Sequence, residues 1–372
     1  MAKDLPADLV AQILVWLPVV SLLRCKCVSK SWYALITHQS FIRKHLLHNN
    51  NSSNTLLLLN TFNFTTLDFV LSTISYETLQ LSLTQPAHPW SFWNIKKGMI
   101  SVAGSCNGLV CLHASSSEFE VVIWNPATRE TKVVPKSNLP RLLPAGYKTI
   151  IDSFQFGFDA KTNDYKIINL IRPFDVDVAA RSFRSGGIIQ SEVYSLSADS
   201  WRTCDSPLCC TGELKIDGLN TYINGMASWS ASVGWEGVLS FDMSDEVFLK
   251  TPVPDDVLNN CNRHFFLLKE SIAMAVGIVV DYLMWFDIWL LLEVGVKDSW
   301  TRLFSIGPFP DYIERPLGFW KSGIMFFENL DGQMVLYDPS TKEMTNLPIQ
   351  GETDVSQLVT YMETLVSVNG RK

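Results

Sequence analysis

The stretch Ile123-Trp124-Asn125-Pro126-Ala127-Thr128 ends an apolar β-run in an aromatic residue and turns at once on an Asx side chain. The same pattern returns at Phe158-Asp159-Ala160-Lys161-Thr162, Phe241-Asp242-Met243-Ser244-Asp245 and Tyr337-Asp338-Pro339-Ser340-Thr341. In each, the Asx side chain can accept from the backbone two residues on, and a following Pro presets φ for a type I turn, so these read as hairpin corners without catalytic roles. Aromatic residues in the same context at Trp124, Tyr194, Phe241, Trp289 and Tyr337 are spaced 70, 47, 48 and 48 residues apart. A period near 48 built from short strands fits a four-stranded propeller blade, which cannot bury both of its faces alone. With a degenerate first unit over 56–83, the spacing predicts about six blades. The wide first interval leaves room for an inserted segment in 138–147 or 172–187, and a strand within 355–368 would tie the end of the chain to the first blade and remove exposed edges. An open array of β-sandwiches is the alternative architecture.

The 372 residues include 12 Trp, 21 Phe and 10 Tyr, with 47% apolar and only 18% charged residues, which excludes a disordered chain. Residues 1–48 carry six Lys or Arg against two Asp; since the whole chain carries −7, this surplus of four leaves the remainder at −11. An acidic body with a small basic head argues against nucleic acid as the main ligand and suits a basic or neutral protein partner. The eight Cys and six His show no zinc spacing, so reduced thiols, no metal and no cofactor are expected. The apolar run 9–23 has Asp4 and Asp8 where a signal peptide needs positive charge, so the sequons at Asn50, Asn51 and Asn63 are expected to stay unmodified. The run Ile272 to Val296 contains Asp281, Asp287 and Glu293, which argues against a membrane span.

Before the repeats, Pro6 fits a first helical position, and Leu9, Val10, Ile13, Leu14 and Leu17 then follow at helical spacing. Pro18 ends that helix, Ser21 can cap a second through Leu22 and Leu23, and Ser29 can cap a third that carries Trp32, Leu35 and Ile36. Three short helices cannot bury this much apolar surface among themselves, so part of the stripe should meet another protein. The expected organisation is an α+β multidomain chain: a small three-helix module over 1–48, an Asn/Ser-rich linker over 49–55, and an all-β, propeller-like, kelch-like domain of about six blades over 56–372.

The spacing of Leu5-Pro6, Ile13-Leu14, Leu17-Pro18, Ser21-Leu22-Leu23-Arg24, Cys27-Val28-Ser29-Lys30 and Ser31-Trp32 resembles the F-box family. The resemblance implies that Leu5, Pro6, Leu9, Ile13, Leu14, Leu17, Pro18, Leu22, Val28 and Trp32 dock a Skp adaptor, and through it the cullin and RING subunits of an SCF ubiquitin ligase. Gln12, Trp16, Val20 and Cys25 depart from the usual plant pattern. The competing reading is a head that serves only as a packing cap for a stand-alone propeller that binds glycan or catalyses hydrolysis.

The body resembles the F-box-associated domain of plant proteins of the S-locus F-box type, through Gly104-Ser105-Cys106-Asn107-Gly108-Leu109, Trp124-Asn125-Pro126, Phe156-Gly157-Phe158-Asp159, Ser200-Trp201 and Ser299-Trp300. The resemblance fades between Val276 and Leu292. It implies a non-enzymatic receptor in the cytoplasm, with the nucleus as a second location, whose target in S-locus relatives is a basic pistil S-RNase. Loops carrying Asp175, Asp177, Asp255, Asp256, Asp311 and Glu314 are the candidate target-facing carboxylates, since loops on a rigid scaffold carry binding specificity. Gly104-Ser105-Cys106-Asn107-Gly108 also fits G-x-C-x-G, but no helix pattern follows to raise a nucleophile, and Asn107-Gly108 reads as a hairpin turn.

Overall fold

Alternating strand and turn signals resolve into six antiparallel sheets, preceded by four helices. The computed structural model describes residues 6–50, 55–63, 68–75, 81–82, 99–115, 120–141, 148–177, 182–205, 209–211, 215–232, 235–257, 262–281, 283–309, 313–319, 323–351 and 356–369. Blade 1 joins Gln357–Tyr361 to Leu56–Asn63, Asp68–Ser75 and Leu81–Ser82. Blade 2 is Met99–Cys106, Leu109–Ser115, Glu120–Asn125 and Glu130–Val133. Blade 3 is built on Lys148–Asp159, Asp164–Asp177, Gln190–Ser195 and Ser200–Cys204, with Ser182–Ile188 and Cys209–Thr211 added to the same sheet. Blade 4 is Lys215–Ile223, Met226–Ser232, Glu236–Asp242 and Phe248–Pro252. Blade 5 is Arg263–Leu268, Ser271–Val280, Leu283–Leu291 and Trp300–Phe309, and blade 6 is Ile313–Phe319, Met325–Asn329, Gln333–Asp338 and Glu343–Gln350.

The first strands of the blades pack against one another around the axis. Middle strands are sandwiched between neighbouring blades on both faces and are buried almost continuously, as in Glu236–Asp242. The outermost strand Glu343–Gln350 alternates between half-buried and exposed. That difference follows from packing on two sides against packing on one. The wide first interval is taken up in blade 3, whose second strand of 14 residues pairs Ser182–Ile188 beyond its pairing with Gln190–Ser195. Of the two candidate insertions, residues 172–187 therefore include this extra strand; most of 138–147 lies outside the described residues. The ring closes through Leu56–Asn60 against Gln357–Tyr361, inside the expected segment 355–368.

All four Asx corners form. Asn125 Oδ1 accepts from the N–H groups of Ala127 (2.9 Å) and Thr128 (3.1 Å), and Asp159 Oδ1 from those of Lys161 (2.8 Å) and Thr162 (3.2 Å). Asp242 accepts from Ser244 at 2.7 Å and Asp338 from Ser340 at 2.8 Å. Each corner returns to its strand through a non-glycine residue at positive φ: Arg129, Asn163, Glu246 and Lys342.

Four helices replace the expected three. The structure has α1 (Ala7–Leu14), α2 (Val19–Cys25), α3 (Lys30–Thr37) and α4 (Gln39–Asn50). His38 is extended and ends α3, and its Nδ1 accepts the Ser40 N–H at 3.2 Å, so a new helix starts immediately. Pro6 sits at the N-cap of α1, one position before the first helical residue, and Pro18 rather than Ser21 is the N-cap of α2; Ser21 lies within that helix. The Ser29 cap of α3 forms as expected, its Oγ accepting the Trp32 N–H at 3.2 Å. Asn49 and Asn50 continue α4 past His48; Asn49 is buried and donates to the Glu363 carbonyl at 3.3 Å. The remainder of the expected linker, apart from Thr55, lies outside the described residues. No helix among the described residues is long and apolar enough to cross a membrane.

Candidate functional site

Two neighbouring stripes run along α1 and the turn that follows it. Val10, Leu14 and Leu17, at i, i+4 and i+7, turn inward; Leu14 is only 2% exposed and packs with Val19, Leu22, Ile36 and Phe41. Leu9, Ile13 and Trp16, also at i, i+4 and i+7, turn outward, and Trp16 is 73% exposed. A helix repeats every 3.6 residues, so two stripes offset by one position lie side by side and one helix can serve two surfaces. Val20 on α2, Val28 in the turn after it and Tyr33 on α3 extend the exposed apolar set. Lys26, Cys27, Ser29, Lys30 and Tyr33 line a shallow hollow beside them.

The expected docking residues therefore divide. Pro6, Leu9, Ile13, Pro18 and Val28 are exposed, and Leu17 and Trp32 are half-buried. Leu14 and Leu22 are sealed in the head's own core, where they shape the surface without being available to a partner. Leu5 lies outside the described residues. Trp16 and Val20, read only as departures from a pattern, are part of the exposed face; their apolar character among exposed helical positions was the available signal.

The head is fixed to the propeller through the end of the chain. Leu365 enters the head's core, against which Ala127 of the blade 2 corner also packs. The Asn125 amide donates to the carbonyls of Thr364 (3.1 Å) and Val366 (2.7 Å) while its oxygen holds the corner itself. His45, on α4, is buried, with Nε2 3.0 Å from the Leu17 carbonyl oxygen; burial lowers its pKa, the contact with that carbonyl opposing.

This attachment defines two sides of the ring. The near face, which meets the helices, carries the turns joining first to second and third to fourth strands of a blade. The far face carries the turns joining second to third strands, whereas the connection leaving blade 4 lies against the third-to-fourth turn of blade 5. Asp175 and Asp177 close the second strand of blade 3 toward the far face, with side chains outside the described atoms. Asp256 is exposed, and Asp255, in the connection from blade 4, is paired with Lys297 at 2.6 Å. Glu314 is half-buried on the first strand of blade 6, and Asp311 lies outside the described residues.

The G-x-C-x-G stretch is a hairpin, as its turn residues indicated. Asn107 and Gly108 occupy positive φ between paired strands, and burial drives the Cys106 thiol far above the ordinary range. His113 is pushed down to about 4 by burial on the following strand. A Cβ on Gly108 would collide with Met362 and Thr364, so this glycine is required by the close passage of the C-terminal segment. No group of three or more potential metal ligands occurs among the described residues.

The F-box domain model matches residues 3–44, and the F-box associated beta propeller domain model matches residues 55–367. An F-box/kelch-repeat protein of Arabidopsis thaliana is 27% identical over 98% of this chain and 96% of its own length. F-box protein CPR1 of the same plant is 26% identical over 93% of this chain and 84% of its own. A solved lectin, SapL1 in complex with alpha methyl fucoside, covers 80% of this chain and 97% of its own at 8% identity and a TM-score of 0.39, too distant to bear on function. With both models together spanning nearly the whole sequence, the chain belongs to the family of F-box proteins that carry an F-box-associated β-propeller.

Proposed function

We propose that this protein is the substrate-recognition subunit of an SCF-type ubiquitin ligase. The head holds a Skp adaptor, the propeller holds a target protein, and the transfer chemistry belongs to other subunits. Catalysis is then proximity, since fixing target and charged enzyme in one assembly raises the effective concentration of acceptor lysines. The observation that carries this reading is the outward stripe of α1: Leu9, Ile13 and Trp16 are left exposed by a head that has already filled its core with Leu14, Leu22 and Ile36. Arg24 and Lys30, both exposed, give the surface a positive rim suited to an acidic adaptor. The complex works in the cytoplasm or nucleus.

Co-purification with a Skp adaptor tests it. Ile13→Asp and Trp16→Asp should each lower adaptor retention at least about tenfold with an unchanged melting temperature, as for exposed anchors at an interface. Leu14→Asp should instead unfold the head. If the intact protein retains no adaptor, the receptor reading fails. The finer reading, an S-locus receptor for a basic pistil ribonuclease, is supported by the −11 body alone. It requires measurable binding of such a ribonuclease that weakens with added salt.

A further inference from the structure

Blades 2 and 3 enclose more hydrogen-bond acceptors than they satisfy. On the blade 3 face that packs against blade 2, Phe154, Asn169 and Glu192 stand in one cross-strand row. Asn169 and Glu192 are therefore side by side, about 5 Å apart at Cβ. Asn169 is 2% exposed and Glu192 1%. Across the interface, the His113 ring of blade 2 packs on Phe154 at 5.2 Å between centroids. Asn169 Oδ1, Glu192 Oε2 and His113 Nδ1 are buried atoms, and none has a hydrogen-bond partner among the described residues. Burial pushes His113 down to about 4, so its ring is neutral at physiological pH and supplies no counter-charge.

Arg141, on the connection from blade 2 to blade 3, brings a cation to this row by pairing with Glu192 Oε1. Its side chain is 24% exposed and that of Glu192 2%, so the arginine runs from the surface down to a buried carboxylate. Residues 135–140, which carry it there, belong to no strand or helix, and none of them is buried. The ion pair accounts for Oε1 and leaves Glu192 Oε2 and Asn169 Oδ1 without donors, whereas buried acceptors are ordinarily satisfied. A guanidinium carries five N–H donors in a planar fork, enough to serve both carboxylate oxygens and the neighbouring amide oxygen.

We propose that Arg141 holds the place of an arginine of the target protein, whose guanidinium displaces it and binds Glu192 through both oxygens and Asn169 through Oδ1. The space needed is the space Arg141 vacates, and its own path shows that a guanidinium can enter from the surface. Arginine is favoured over lysine because the acceptors belong to two neighbouring side chains, which a planar fork spans and a single ammonium does not. The proposal rests on the receptor reading and gives its target a chemical class, a segment that presents an arginine to the junction of blades 2 and 3.

The test uses the full chain and three peptides: acetyl-Gly-Arg-Gly-amide and its analogues with Lys or with citrulline, the uncharged counterpart of arginine, in place of Arg. Arg141→Ala leaves Glu192 buried and unpaired, so its melting temperature should fall and should be restored by the Arg peptide alone. In equilibrium dialysis, Arg141→Ala should bind the Arg peptide at least about tenfold more tightly than the natural chain, since nothing has to be displaced. Glu192→Gln should bind it at least about tenfold more weakly than the natural chain. Should Glu192→Gln fail to fold, Asn169→Ala takes its place with the same expectation. An ion pair that only holds the fold predicts a different pattern, in which both substitutions destabilise and neither moves peptide affinity. The proposal is overturned if the Arg peptide leaves the melting temperature of Arg141→Ala unchanged, or if the Lys or citrulline peptide restores it equally. It is also overturned if the natural chain binds no Arg peptide at concentrations that saturate Arg141→Ala. Adaptor retention by the same samples separates the two readings: a chain that retains its adaptor and binds no Arg peptide sinks only this proposal, and one that binds the peptide without an adaptor sinks only the receptor reading.

Discussion

Lys166 shows how much one side chain can carry between blades. Its side chain is 8% exposed, and its ammonium contacts Asp159 at 2.7 Å, Glu246 at 2.8 Å and the Met243 carbonyl at 2.9 Å, joining blade 3 to the corner of blade 4. Burial opposes ionisation of Asp159, but hydrogen bonds from Lys166, Thr162 and Ser244 outweigh it and hold the carboxyl well below its usual range. Glu246 is also lowered: burial opposes this, and Arg202 and Lys166 override it. Both groups therefore contribute stability that is present above pH 4–5, the range of free carboxyls, and is lost as pH falls through their lower native values. Lys166→Met, which leaves two carboxylates without their shared cation, should cost about 3–5 kcal/mol in denaturant unfolding and should flatten the acid limb of the stability profile. The aromatic-Asx spacing around Asp159 was legible in the sequence because an Asx corner is a local structure. The pairing of Lys166 with Glu246 was not, since the partners lie 80 residues apart and meet only when two blades stack.

Among the elements, outer strands are coupled to preceding blades by a repeated device. The Trp201 indole N–H donates to the Pro135 carbonyl at 2.6 Å, and the Trp300 indole N–H to the Pro252 carbonyl at 3.1 Å. Both tryptophans follow a serine at the start of an outermost strand. Trp300→Phe keeps much of the ring but removes the donor, and a loss of about 1 kcal/mol at the denaturant midpoint is expected, the worth of one partly buried hydrogen bond. The helices illustrate the limit of periodicity. The apolar spacing of α1 identified a helix and its apolar side, but which stripe faces the propeller depended on where Leu365 arrives from the other end of the chain. The helix α4 was missed because its inward positions Phe41, His45 and Asn49 are mostly polar; His45 and Asn49 are buried because Leu17 and Glu363 supply hydrogen-bonding partners.

For the molecule as a whole, closure is the decisive contact. The last described residues supply a strand to blade 1, an anchor for the Asn125 side chain and a core residue for the head. A chain ending at Ser356 should lose its cooperative thermal transition and its adaptor retention together, whereas one ending at Asn369 should behave as the full chain; near-UV circular dichroism and co-purification read the two effects. The repeat length, the corners, the helical head and the acidic body were settled by the sequence, because each is a matter of local conformation or of simple charge. Tertiary structure alone decided which apolar side chains were consumed by the core and which were left for partners. Burial depends on what the rest of the chain brings alongside, and in a closed ring those neighbours come from distant blades and from the far end of the sequence.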